Sequence, residues 1–208
     1  EASPHHMDIK AVLKKALALF DGGFHVAGMT GNGIGFVFRD AHGIRPSYYY
    51  INDEVVVAAS ERAAIRTALN VGENEVQELM PGHALIVNEK GDVEITQILE
   101  PQERKACSFE RIYFSRGNDA DIYRERKSLG AGLADQIWKS INGNLAKTVF
   151  SFVPNTAEVA FFGLMSEMRF RRRAEVKQTL LDAAKAGQVT EALVDDLILN
   201  NWPRGEKI

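Results

Sequence analysis

A succession of short β-type runs, each closed by a turn rich in Gly, Asn or Asp, fills Phe24 to Ile98 and constrains the chain more than any other feature. The runs are Phe24–Thr30, Gly35–Arg39, Ser47–Ile51, Glu54–Ala59, His83–Val87 and Val93–Ile98. Asn32-Gly33, Asn52-Asp53 and Asn88-Glu89-Lys90-Gly91 separate them in pairs, and strands joined by so few residues pair antiparallel. Gly31-Asn32-Gly33-Ile34-Gly35 superficially resembles a phosphate loop, but it feeds a strand where such a loop must feed a helix. It reads as a hairpin in which Asn32 and Gly33 both take positive φ. Ahead of the runs, Ile9, Val12, Leu13, Ala16, Leu17 and Phe20 recur at helical spacing and predict an amphipathic helix over 8–20. Tyr48, Tyr49 and Tyr50 must alternate faces of their strand. A helix to Leu69 follows, with Ser60 as its N-cap.

The pattern changes near Glu100-Pro101. A short strand (Arg111–Ser115) leads to a helix over Asp121–Ile141, which Asn142-Gly143 ends. Thr148–Val153 reads as a strand running into Pro154-Asn155-Thr156, and a helix opens at Ala157. Residues 175–200 read as helical, interrupted at Gly187. Strand and helix alternate here as in a parallel α/β unit. The fold class expected is therefore α+β, divided into residues 1–100 and 101–208.

Length and charge remove several classes. A chain of 208 residues can bury roughly 70% of its unfolded surface and needs no covalent staple. With 25 basic against 28 acidic residues and a net charge of −3, it lacks the cationic surface that phosphate neutralisation favours, so no nucleic-acid partner is expected. Its single cysteine, Cys107, permits no internal disulfide and suits a reducing cytoplasm. The longest apolar run, Val159 to Met165, is far below the ~20 residues that span a bilayer, so no membrane partner is expected either. Both ends look like cuts through a longer protein, and His5-His6-Met7 reads equally as a cloning remnant or as native sequence.

Phe38-Arg39-Asp40-Ala41-His42-Gly43-Ile44-Arg45-Pro46 is the densest cluster of chemistry-bearing residues. Two guanidinium forks and a carboxylate at a strand turn can bind a carboxylate ligand or can simply brace a hairpin corner. Ser60 and Glu61 place a hydroxyl and a carboxylate at a strand-to-helix junction, without the G-x-S-x-G elbow of a serine nucleophile. His25, His42 and His83 show no metal spacing. Cys107 reads first as a small buried hydrophobe, and Arg169–Arg173 as a solvated helix face. The Val153-Pro154-Asn155-Thr156 loop stands where parallel sheets place ligands, and the helix start beyond it offers free amides to an anion.

Taken in order, several of these segments resemble one family, the amidophosphoribosyltransferases (glutamine phosphoribosylpyrophosphate amidotransferases). They are Asp21-Gly22-Gly23-Phe24 through Gly28, Phe38-Arg39-Asp40 with Gly43-Ile44-Arg45-Pro46, Ala59-Ser60-Glu61, Pro81-Gly82-His83-Ala84, Cys107 through Arg116, and Val153-Pro154-Asn155-Thr156. The resemblance runs over most of residues 20–165. The first three occur more loosely across class II glutamine amidotransferases; the Phe109–Arg116 run and the Pro154 loop select this member.

The resemblance implies a cytoplasmic, homo-oligomeric enzyme of the first committed step of de novo purine synthesis. An N-terminal-nucleophile glutaminase domain, whose later antiparallel layer residues 1–100 would form, releases ammonia from glutamine. A phosphoribosyltransferase domain, opening in residues 101–208, uses the ammonia to displace pyrophosphate from phosphoribosyl pyrophosphate. Arg39, Asp40, Arg45, Ser60 and Glu61 are then expected to support the glutamine site, and Pro154, Asn155 and Thr156 to contact pyrophosphate. Mg²⁺ is expected for the whole enzyme and no cofactor for this chain alone. Cys107 matches a position that ligates an iron–sulfur cluster in some members, while others keep a cysteine there without a cluster.

The family's N-terminal cysteine and its Asp-Asp-Ser phosphoribosyl pyrophosphate loop are not in this sequence, and Asn155 stands where many members carry an acid. The chain is therefore expected to be inactive by itself. Another class II amidotransferase, or a non-catalytic binding module of the same shape, remains an alternative reading.

Overall fold

The computed structural model describes residues 7–207, so His5 and His6 lie outside the described residues. The chain forms two compact units, 1–116 and 117–208. The division falls later than the change in sequence character near residue 100. The amides of Gln102, Lys105 and Cys107 donate to the carbonyls of Ala41, His42 and Ile44, which ties this stretch to the first unit.

The first unit is layered. Helix α1 (Ile9–Leu17) opens at Asp8, whose carboxylate accepts from the amides of Lys10 and Ala11. A four-stranded antiparallel sheet follows, ordered β1 (His25–Met29), β2 (Gly35–Arg39), β6 (His83–Val87), β7 (Val93–Gln97). Alternation along β2 and β6 sends Phe38, Ala84 and Ile86 toward Ile9, Leu13 and Leu17 of α1. Val37 and Leu85 point the other way, onto Leu79, Tyr49, Val56 and Ala58. Those residues come from or adjoin the second sheet, ordered β4 (Val56–Ala59), β3 (Tyr48–Ile51), β5 (Gln77–Glu78). Tyr49 thus faces the sandwich, and its neighbour Tyr48 takes the Arg62 guanidinium over its ring.

Local details depart from expectation. At the β1–β2 turn only Gly33 takes positive φ (+88°), and the Gly33 amide donates to the Thr30 carbonyl. The loop is a four-residue turn closed by a left-handed glycine rather than a two-residue turn. Helix α2 (Arg62–Leu69) has Glu61, not Ser60, at its N-cap, and no side chain caps it. Residues Glu110–Phe114 form one π-helical turn, not a strand.

The second unit is mainly helical. The expected helix over 121–141 is two: α3 (Ala120–Gly132) and α4 (Ala134–Ser140) meet at Leu133, where Gly130 and Gly132 weaken helical continuity. The strand expected over Thr148–Val153 shrinks to β8 (Val149–Phe150), because its one strand neighbour among the described residues is the two-residue β9 (Arg204–Gly205), which it meets in parallel. Helix α5 (Glu158–Lys185) runs on to Gly187 (φ +68°) and then α6 (Glu191–Leu199). The core gathers Ala134, Leu145, Phe150, Leu164, Met165 and Met168. Among the described residues no helix is long and apolar enough to cross a membrane.

Candidate functional site

The Arg39–Arg45 corner is built from the end of β2. Asp40 is 1% exposed, and its carboxylate accepts from three amides of its own loop, His42 (3.1 Å), Ile44 (2.9 Å) and Arg45 (3.1 Å). Its main-chain carbonyl accepts from the amides of Gly43 and Gly82. Gly43 takes φ +61°, and a Cβ there would lie 2.8 Å from Pro81.

The sequence offered Arg39 as a fork for a ligand carboxylate, but its guanidinium is turned inward and engaged. Nε donates to the Arg45 carbonyl (2.7 Å), Nη1 to the Leu79 carbonyl (2.6 Å) and to Glu78 (2.8 Å), and Nη2 to the Gly43 carbonyl (3.1 Å). Arg39 and Asp40 therefore give the loop one shape. Arg45 keeps a half-exposed guanidinium, paired at 2.5 Å with the buried Glu110. Glu110 lies inside the motif run 107–116, yet no spacing in the sequence marks it as the partner of Arg45. Glu78, which receives both Arg39 and Arg104, is equally invisible in sequence.

Ser60 and Glu61 stand at the β4–α2 junction, where Glu61 pairs with Arg116 at 3.4 Å. Cys107 is half-buried, and its amide donates to the Ile44 carbonyl at the corner. Pro154, Asn155 and Thr156 belong to the second unit. They form a turn in which the Asn155 carbonyl accepts from the Glu158 amide at the start of α5. The N-cap there, Ala157, has no side-chain cap. Ser151, Phe152, Val153 and Pro154 line an open hollow of about 430 Å³ beside this turn. Among the described residues no three His, Cys, Asp or Glu side chains gather as a metal site. The turn itself offers a cation the Asn155 side-chain carbonyl oxygen and the Thr156 hydroxyl, and no carboxylate.

His25 begins β1 beside the corner. Burial pushes its pKa below the ordinary value of about 6.5. A hydrogen bond with the Pro46 backbone works the other way, and Arg39 and Arg45 add repulsion against the imidazolium. Well above pH ~6.5 His25 is neutral in both folded and unfolded chains and contributes nothing to pH dependence. Below it the unfolded chain takes up a proton that the folded chain refuses, so stability falls as pH falls. The urea midpoint is expected to drop between about pH 7.5 and 5.5, and to drop less in His25→Gln. Parallel pH profiles for the two proteins would contradict this.

No protein-family model matches the chain. It is 30% identical over 135 residues to amidophosphoribosyltransferase of Bacillus subtilis, covering 63% of this chain and 27% of that protein. It is 35% identical over 128 residues to the Synechocystis enzyme of that name, covering 58% and 25%. A solved glutamine phosphoribosylpyrophosphate amidotransferase from B. subtilis, complexed with ADP and GMP, superposes with a TM-score of 0.61 at 26% identity, covering 80% of this chain and 35% of that one. A second structure, described as the allosteric regulatory enzyme of purine biosynthesis, gives 0.62 at 26% identity, covering 80% and 34%. The chain spans about a quarter to a third of the length of these relatives. In sequence and in backbone fold, it is a relative of part of the amidophosphoribosyltransferases.

Proposed function

We propose that this chain works as the middle of an amidophosphoribosyltransferase, a cytoplasmic homo-oligomer acting on glutamine and phosphoribosyl pyrophosphate. Its first part supplies the later layer of an N-terminal-nucleophile glutaminase, and its second part the opening of the phosphoribosyltransferase domain. The observation that carries the reading is that one family is met over 80% of the chain, more than the first unit alone contains.

In this reading water cleaves the glutamine side-chain amide to glutamate and ammonia. Ammonia then attacks C1 of phosphoribosyl pyrophosphate as pyrophosphate departs, giving 5-phosphoribosylamine. Arg39 and Asp40 hold the 40–45 loop rigid so that a glutamine site built on it keeps its geometry, with Arg45, Ser60 and Glu61 as further support. Cys107 is internal, its nitrogen a peptide amide that donates to the Ile44 carbonyl, so it has no free α-amine and does not fit the role of an N-terminal nucleophile. The 154–156 turn presents backbone at the start of α5, where free amides favour pyrophosphate oxygens. Mg²⁺ would accompany the pyrophosphate in the whole enzyme and spread its charge. An iron–sulfur cluster on Cys107 needs further ligands from elsewhere.

The test uses the full-length parent. Glutamine-dependent pyrophosphate release from phosphoribosyl pyrophosphate is expected, and its absence from a folded preparation ends the reading. The 208-residue chain alone is expected to release neither glutamate nor pyrophosphate, and turnover of either would overturn the assignment of its residues to supporting roles.

A further inference from the structure

Arg169–Arg173 does not behave as one solvated face. Arg169 and Arg173 are exposed, but the Arg172 side chain is only 12% exposed. Its Nε is buried and has no hydrogen-bond partner among the described residues. The two contacts of its terminal nitrogens are long: Nη2 to the Asn200 carbonyl at 3.4 Å and Nη1 to Glu175 at 3.5 Å. A desolvated guanidinium is costly unless it is well paired, and here its pairing is loose.

Arg172 lines a recess of about 240 Å³ with the 143–146 loop, Glu175 and Asn201. That is below the ~300 Å³ at which drug-sized pockets begin, and it suits a ligand the size of one oxyanion group. A second cation braces the same loop, where the Arg204 guanidinium donates to the Ala146 carbonyl at 3.2 Å. Asn201 holds its place in left-handed backbone (φ +61°).

We propose that this recess binds a compact oxyanion, a phosphate group or a carboxylate, on the Arg172 fork. Bidentate oxyanion oxygens match the planar guanidinium and complete the pairing its present neighbours leave loose. Glu175, half-exposed on the rim, is the internal counter-ion that the ligand displaces. The recess lies wholly in the second unit and shares no residue with the 154–156 turn.

Both tryptophans adjoin residues that line the recess. A Cβ on Gly143 would lie 3.2 Å from Trp138, and Trp202 follows Asn201. Tryptophan fluorescence of the 208-residue chain is titrated with inorganic phosphate, and separately with acetate, against chloride at constant ionic strength. A saturable change with either is expected, and the stronger of the two identifies the ligand class. Arg172→Lys should weaken binding about tenfold, the loss of roughly one charge-assisted hydrogen bond, while circular dichroism stays unchanged. Glu175→Gln should tighten binding, because the competing carboxylate is gone. A purely structural Arg172 predicts no tightening in Glu175→Gln, so that variant decides even if Arg172→Lys folds poorly. A response that is linear, equal to chloride, or unmoved by Glu175→Gln overturns the proposal.

Discussion

Replacing Asp40 by alanine is expected to destabilise the first unit by roughly 3–5 kcal/mol, the range for breaking a buried charged network. The side chain is nearly inaccessible, and its two oxygens serve three amides within five residues. Alanine leaves the His42, Ile44 and Arg45 amides without that acceptor, in a loop whose carbonyls already hold Arg39. The loop cannot easily refold around the loss. Gly43 is fixed in left-handed backbone against Pro81, and the Asp40 carbonyl is engaged by Gly43 and Gly82. Asp40→Asn should cost about half as much. It keeps Oδ1 for the His42 and Ile44 amides but turns an amide donor toward the Arg45 amide. Urea unfolding gives the magnitude, and hydrogen exchange at residues 42, 44 and 45 gives the place. A loss below about 1 kcal/mol for Asp40→Ala, with those amides still protected, would show that the carboxylate does not organise the corner.

The parts of the fold that were legible in sequence are those decided within a few residues. Asn52 accepts from the amides of Glu54 and Val55, so its hairpin is written locally. Asn88 does the same for Lys90 and Asp92. The π-helical turn at Glu110–Phe114 was not legible, because Arg-Ile-Tyr-Phe-Ser carries strand-forming residues whose propensity tertiary contacts override. Buried Glu110 meets Arg45, and the segment just before it is pinned to the 41–44 loop. Neither pairing has a sequence signature. The corner was visible as a cluster of charges, but the direction of the Arg39 fork was not. Whether a guanidinium faces a ligand or its own loop depends on carbonyls supplied by Gly43, Arg45 and Leu79. The Arg169–Arg173 run misled for a related reason, since helical phase alone does not reveal which arginine a later loop will cover.

Gly163→Ala and Gly130→Ala are expected to destabilise the second unit strongly. A methyl on Gly130 would fall on the carbonyl of Ala160 in α5, and one on Gly163 on the carbonyl of Lys127 in α3. Both obstacles are helix backbone and cannot rotate aside, so α3 and α5 must separate and open the packing around Leu164, Met165 and Met168. Alanine gains roughly 1 kcal/mol over glycine in helix propensity, but overpacking against backbone reaches or exceeds about 3 kcal/mol. The net effect is a loss of roughly 2 kcal/mol or more. Gly132→Ala is the control. It sits in the same helix with nothing within 4 Å of its added carbon and should be neutral or slightly stabilising. Tryptophan fluorescence reports this unit alone, since Trp138 and Trp202 both lie in it. The double variant Gly130→Ala/Gly163→Ala should cost less than the two singles added together, because one separation of the helices relieves both clashes. If Gly163→Ala unfolds no earlier than Gly132→Ala, the two helices are not held together by backbone contact at these glycines.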